Sequence, residues 1–183
     1  MTDPRPPSAW LRLGPLTLGI AGLILALDQI SKVLVLRDPI LGMGGVREVI
    51  PGFFELVCSY NKGAAFGIMH GRMGLLSLIS LAAFIVLLWQ FRNFVEQWTE
   101  RGVAASLLLG GIAGNFIDRA FRDGGVVDFL NFYFPMIPSK WFNPWPTFNV
   151  ADTAICVGVG IYVLSTYIRP EPKDEPEEVP AAS

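Results

Sequence analysis

Asp128 and Asp152 are the residues whose type and setting best suit bond-breaking chemistry. Asp128 follows a Gly124-Gly125 turn and two valines, and Asp152 stands three residues after Asn149 at the start of an apolar run. Both are expected at one membrane face, at the ends of adjacent helices. Two carboxylates that share a site do not readily both ionise. One then keeps a proton as acid while the other deprotonates a water. Such a pair hydrolyses an amide without metal, serine or cysteine. Each acid also has a plainer reading. Asn149 as N-cap with Asp152 at the third helical position is a variant of the capping box, and Asp128 by itself reads as a solvated loop carboxylate. Spacing alone leaves both readings open.

Further polar residues lie within apolar stretches, where each ionisable group costs roughly 2.5–3.5 kcal/mol to insert. Asp28 and Lys32 are four apart on one helical face, with the acid N-terminal to the base, the better orientation. They read either as a self-neutralising pair or as a pair that faces the bundle interior and props a polar site. Gly110, Gly111 and Gly114 precede Asn115, Asp118 and Arg119. The Gly110-x-x-x-Gly114 spacing permits close helix approach. Arg119 is suited either to snorkelling or to forked donation onto carboxylates and carbonyls. The single histidine, His70, and the two cysteines, Cys58 and Cys156, have no metal-ligand spacing. Neither HExxH nor Gly-x-Ser-x-Gly occurs. No metal and no cofactor are expected.

The chain that must position these residues has 183 residues, 52% of them hydrophobic and 16% charged. Soluble domains carry about 25% charged residues, and here the deficit is confined to four apolar runs. The mean hydropathy is +0.47, and the net charge of −2 reflects an acidic tail. No basic stripe points to nucleic acid. The expected fold is membrane all-α. Four transmembrane helices are placed at about 14–36, 73–91, 103–120 and 150–168. The first is about 35 Å long at 1.5 Å per residue, enough to span with some tilt. It is too long for a cleavable h-region, contains Asp28 and Lys32, and lacks a small-residue cleavage site.

Residues 37–72 form a mixed loop in which Ile50, Phe53, Phe54, Leu56 and Val57 beside Pro51-Gly52 suggest short strands. Residues 92–102 are expected as a short polar loop and 121–149 as a long aromatic one. Phe132, Tyr133, Phe134, Trp141, Phe142, Trp145 and Phe148 read as an interfacial belt. Three segments result: an N-terminal cytoplasmic segment 1–13, a four-span unit 14–168, and a disordered acidic, proline-rich tail 169–183. Basic residues are equal in number on the two sides. They are denser on the termini and the short loop, so both termini are placed in the cytoplasm and the acids near the outer face.

Five blocks occur in order: Asp28-Gln29-x-x-Lys32, Asn61-Lys62-Gly63-Ala64-Ala65-Phe66-Gly67, Gly110-Gly111-x-x-Gly114-Asn115-x-x-Asp118-Arg119, Val126-Val127-Asp128-Phe129 and Phe148-Asn149-Val150-Ala151-Asp152. Together, interleaved with four spans over about 14–168, they resemble the bacterial lipoprotein signal peptidase (signal peptidase II) family. The resemblance implies an aspartic endopeptidase of the bacterial inner membrane. It would cleave diacylglyceryl-modified prolipoproteins amino-terminal to the lipidated cysteine. It implies Asp128 and Asp152 as catalytic acids. Asp28, Lys32, Asn61, Asn115, Arg119 and Asn149 support them, beside Gly114 and Asp118 of the same block. It also implies a small extracytoplasmic β-rich cradle within 37–72 and a mobile loop bearing a short helix within 129–148. The expected partners are the lipid-modified precursor and membrane lipid, with no nucleic acid, and the chain is expected to be a monomer. Two other classes compete. A small transporter would use intramembrane charge and glycines, but the chain has no repeated halves and its polar groups crowd one face. A non-catalytic scaffold would use the same residues only for packing. Metal-free cleavage of a lipidated precursor separates the three.

Overall fold

A computed structural model describes residues 8–62, 73–97, 99–122, 125–137 and 143–168, with side chains described from Gly14 onward and not for 73–77 or 91–97. Four α-helices are present among them: α1 (Ser8–Arg37), α2 (Met73–Gln97), α3 (Thr99–Phe121) and α4 (Val150–Ile168). A three-stranded antiparallel sheet joins them, built from β1 (Arg47–Ile50), β2 (Phe54–Asn61) and β3 (Val126–Phe132) in that order. Gly14–Arg37 and Val150–Ile168 are long and apolar enough to cross a membrane, and a shorter apolar stretch covers Leu78–Gln90. The other helix, α3, packs against α1, α2 and α4. Its surroundings are therefore protein, which is why it can carry Asn115, Asp118 and several glycines.

Those glycines set the packing distance. A Cβ on Gly110 would meet the Ala21 carbonyl of α1 at 2.7 Å, and one on Gly111 would meet the Ala151 carbonyl of α4 at 2.6 Å. One on Gly114 would collide with the Asp28 carboxylate and come within 3.3 Å of Ala151 Cβ. The stripe thus seats α1 on one side and α4 on the other, and Gly114 lies where both meet the site.

The sheet sits over the C-terminal end of α1. Val35, Leu41, Val127 and Phe129 form a buried cluster, with Leu36, Leu56, Cys58, Leu130 and Val150 packed around it. In β2–β3, Ser59 pairs with Asp128 and Asn61 with Val126. Side chains alternate across a strand. Asn61, two residues beyond Ser59, therefore shares a face with Asp128.

Two expectations are corrected. The polar loop at 92–102 is mostly helix, because α2 continues to Gln97 and α3 begins at Thr99. Loss of apolar character marks where a helix leaves hydrocarbon, not where its backbone stops being helical. Arg101, counted as a loop charge, is buried, with Nε donating to Ser165 Oγ at 3.2 Å. Second, the cradle is not confined to 37–72, since β3 comes from the second loop. The short helix expected within 129–148 is not found among the described residues of that loop, and residues 138–142 lie outside them. Among the described residues a 3-10 turn occurs at Leu41–Met43, in the first loop. The tail 169–183 and residues 1–7 lie outside the described residues, as do Gly63–Gly67, His70, Trp141 and Phe142.

Candidate active site

The fold brings all ten residues singled out in the sequence to one end of the bundle. The start of α4 carries the first carboxylate. Asn149 Oδ1 accepts from the Asp152 N–H at 2.9 Å, and Asp152 Oδ2 accepts from the Asn149 N–H at 3.2 Å. This is the reciprocal capping box, so the helix-start reading holds. Asp28 Oδ1 adds a third cap by accepting the Ala151 N–H at 3.0 Å. Capping leaves Asp152 Oδ1 for Asn115, whose Nδ2 donates to it at 2.8 Å.

Strand β3 carries the other carboxylate. Asp128 is not a solvated loop residue. It is buried at mid-strand and accepts from Asn149 Nδ2 at 2.7 Å and from Asn61 Nδ2 at 3.1 Å. Asn149 therefore touches both acids, one with its amide nitrogen and the other through its backbone and amide oxygen. Burial raises the Asp128 pKa to about 7. The neighbouring Asp152 charge adds to this, while the two asparagine bonds and the Lys32 charge oppose it.

Beneath the acids lies a buried ionic layer. Lys32 Nζ is 2.9 Å from Asp28 Oδ2 and 2.8 Å from Asp118 Oδ2, and all three side chains are fully buried. The same ammonium donates to Asn115 Oδ1 at 3.2 Å, which also accepts from Asn149 Nδ2 at 3.1 Å. Asp118 Oδ2 accepts the Val127 N–H at 3.2 Å, one residue before Asp128. One ammonium thus reaches the first acid through Asn115 and the second through Asp118 and the β3 backbone. Sequence reasoning assigned no role to Gln29 or Arg122, which complete this layer. Gln29 Nε2 donates to Asp28, to the Gly114 carbonyl and to Asp118, while Arg122 pairs with Asp118 at 2.9 Å and donates to Gln29 Oε1 at 3.2 Å. A glutamine inside an apolar span was itself the available signal.

Above the acids opens a cavity of about 550 Å³. Asp128, Asp152, Asn61 and Arg119 form its polar wall, and Trp145, Phe148, Ile155 and Val157 are among its apolar lining. Arg119 is half-buried, and its NH1 donates to the Asn115 carbonyl at 3.3 Å. The aromatic belt is partly a packed cluster. Phe132 stacks on Phe54 at 4.6 Å and on Phe148 at 5.7 Å, and Phe134 meets Trp145 edge-on at 6.2 Å. Among the described residues no group of His, Cys, Asp and Glu forms a metal cluster. The arrangement can hold a water between an acid that keeps its proton near neutrality and a second carboxylate, with an apolar wall beside them.

A family model described as signal peptidase (SPase) II matches residues 20–168. The chain belongs to the signal peptidase II family. It is 41% identical over 152 residues to the lipoprotein signal peptidase of Syntrophotalea carbinolica, covering 81% of this chain and 88% of that protein. It is 40% identical over 159 residues to that of Halalkalibacterium halodurans, covering 87% and 96%. A solved chain described as a bacterial membrane enzyme, obtained by the in meso method, superposes with a TM-score of 0.73 at 31% identity, covering 89% of this chain and 94% of that one. A second chain of the same description gives 0.70 at 31% identity. Membership of the signal peptidase II family makes the protein a protease and identifies the fold as that of a membrane enzyme.

Proposed function

We propose that this protein is an aspartic endopeptidase that removes signal peptides from diacylglyceryl-modified prolipoproteins, with Asp128 and Asp152 as its catalytic pair. The observation that carries this reading is the meeting of a buried and a half-buried carboxylate, Asp128 and Asp152, through Asn149 at the wall of one cavity. Asp128, protonated below about 7, donates to the scissile carbonyl, and Asp152 takes a proton from the water that attacks it. The tetrahedral intermediate then collapses with proton transfer to the leaving amine. No covalent enzyme intermediate forms. Asn61, Asn115 and Asn149 fix the acids, Arg119 faces the peptide, and Asp28, Lys32, Gly114 and Asp118 hold the helices beneath them. The protein works as a monomer whose partners are its substrate and membrane lipid.

All four helices cross the inner membrane, both termini face the cytoplasm, and the acids lie near the outer face. The two helices that qualify by length and apolarity support this reading, as do the membrane-enzyme relatives. Cysteine labelling should find 92–102 accessible from the cytoplasm and 40–50 from the outside; labelling of both from one side would break this topology.

Lipid on the substrate is expected to matter through placement. A diacylglyceryl group buries many methylenes at about 0.8 kcal/mol each, shared with the bilayer. It fixes depth and orientation, and orientation sets the rate. The diacylated precursor should be cut at least tenfold faster than the same peptide with a free thiol, compared by gel shift in one detergent preparation. Equal rates would replace this reading with a general membrane peptidase.

The pH dependence follows from the Asp128 proton. In the free enzyme kcat/KM reports the ionisations of the essential groups, and the proton belongs to the coupled pair. Activity should fall as pH rises through about 7, where Asp128 loses its proton. A kcat/KM that is flat from pH 6 to 9, roughly two units above, would contradict the acid role of Asp128.

A further inference from the structure

The segment between β3 and α4 extends the sheet on its outer side. The Phe148 N–H donates to the Leu130 carbonyl at 3.1 Å, and the Phe148 carbonyl accepts from Leu130 at 2.8 Å and from Phe129 at 3.0 Å. The Trp145 N–H donates to the Phe132 carbonyl at 2.8 Å. Residues Trp145–Phe148 thus lie antiparallel to the strand that carries Asp128. In an antiparallel ladder alternate residues turn their N–H and C=O to opposite sides. Phe148 turns both towards β3, so Thr147 turns both away from it. Among the described residues neither the N–H nor the C=O of Thr147 has a hydrogen-bond partner. Thr147 lines the same cavity as Asp128 and Asp152.

A peptide that enters this cavity arrives with the complementary need. A helical amide is closed off by its own ladder, so the stretch around a scissile bond must unwind before water and two acids can reach it. Unwinding frees main-chain N–H and C=O groups in a cavity with a large apolar wall, where unmade hydrogen bonds are costly. An exposed strand edge meets that need by adding the peptide as a further strand. Its bonds go to main-chain groups, so such an edge is indifferent to side-chain identity.

We propose that the unpaired main-chain N–H and C=O of Thr147 form the docking edge on which the unwound peptide substrate pairs as an added strand, which sets its amide over the dyad. This rests on the peptidase reading. The edge has a defined length, because the Trp145 N–H, two residues before, is already donated to the Phe132 carbonyl of β3, which leaves Thr147 as the two-sided pairing position.

Two measurements test it. The first follows hydrogen exchange of the Thr147 main-chain amide in the Asp128→Asn protein, in detergent, with and without the diacylated precursor at a concentration that saturates wild-type cleavage. Exchange should slow at least tenfold with precursor; an unchanged rate overturns the docking edge. The second places single N-methyl groups on successive main-chain amides of the substrate next to the cleavage site. One position should lower kcat/KM at least tenfold in the wild-type enzyme, chiefly through KM, by removing the N–H that Thr147 accepts. Thr147→Pro removes the other bond of that pair, the Thr147 N–H that a substrate carbonyl accepts, and should itself raise KM at least tenfold for the unmethylated substrate. If no position is sensitive in the wild-type protein, or a folded Thr147→Pro keeps the wild-type KM, the inference fails. Should Thr147→Pro not fold, the exchange measurement and the wild-type methyl scan still decide. A wild-type protein that cuts no diacylated precursor would sink the peptidase reading; cleavage with an unprotected Thr147 amide would sink the docking edge alone.

Discussion

Asp128→Asn is expected to lower the cleavage rate by roughly 10³-fold or more, the upper part of what a positioned acid–base group contributes, while the protein stays folded and inserted. The local geometry explains why folding survives. Asn149 donates to Asp128 Oδ1, and its amide is held by Asn115, Val127 and Asp152. An asparagine at 128 keeps that acceptor and presents its amide nitrogen to Asn61, which can accept it by turning its own amide over. The pH dependence of stability gives a second readout. The folded pKa of Asp128 is raised from 3.8 to about 7. Its contribution to stability is therefore full below the unfolded value and lost as pH rises through the folded one. Between pH 5 and pH 8 the wild-type protein should lose on the order of 2–3 kcal/mol that Asp128→Asn does not. Thermal unfolding in detergent at the two pH values measures the difference. Substantial activity in the variant would end the dyad assignment, and a stability difference independent of pH would end the proton assignment.

The matching change at the other acid should inactivate as strongly but cost more stability. Asp152 uses both oxygens, one on Asn115 and one on the Asn149 N–H. An asparagine there has one acceptor for two donors, so it gives up half the capping box or the Asn115 bond. Loss of a cap costs about 1 kcal/mol.

How much of this was legible in the sequence depended on the range of the interaction that fixes each residue. Asp152 was readable both as a helix start and as a candidate acid, because its cap partner is three residues away. The two readings describe one geometry, since the capping box aims the carboxylate. Asp28 with Lys32, and Gly110 with Gly114, were readable for the same reason. Strand β3 was not. Its Val126–Phe129 stretch is buried without alternation, so it lacks the period-two pattern that announces a half-buried strand. Its pairing partner β2 precedes it by some 70 residues, a contact that no local signal specifies. The β-branched and aromatic content around Asp128 was the one available hint. Arg101 was misplaced because a charge among polar neighbours reads as solvent-exposed, whereas packing against Ser165 of α4 buries it.

Lys32→Met is expected to be the most damaging single change to stability, at about 3–5 kcal/mol, the usual cost of removing one partner from a buried ionic group. The methionine roughly matches the lysine stem in size, so the loss is electrostatic. Asp28 and Asp118 would remain fully buried around an apolar side chain. Arg122 still pairs with Asp118, so the uncompensated carboxylate is chiefly Asp28. Adding Asp28→Asn should therefore recover about half of the lost stability, a non-additivity expected of partners in one network. Activity should not return with it. Asn115 loses one of the two donors on its oxygen and keeps only Asn149 Nδ2, so the 2.8 Å bond that aims Asp152 is held less firmly. The β3 side suffers too, because Asp118 holds the Val127 N–H only while its carboxylate stays in place. Cleavage by the double variant should stay roughly 10²-fold or more below wild type even where it is fully folded, since misplacement of about 1 Å is enough for that. Unfolding midpoints and single-turnover rates of the two variants, taken side by side, separate the roles. If stability and activity recovered together, Lys32 would act only as packing. Recovery of stability alone would show that one buried ammonium keeps Asp128 and Asp152 in the register that the proposed mechanism needs.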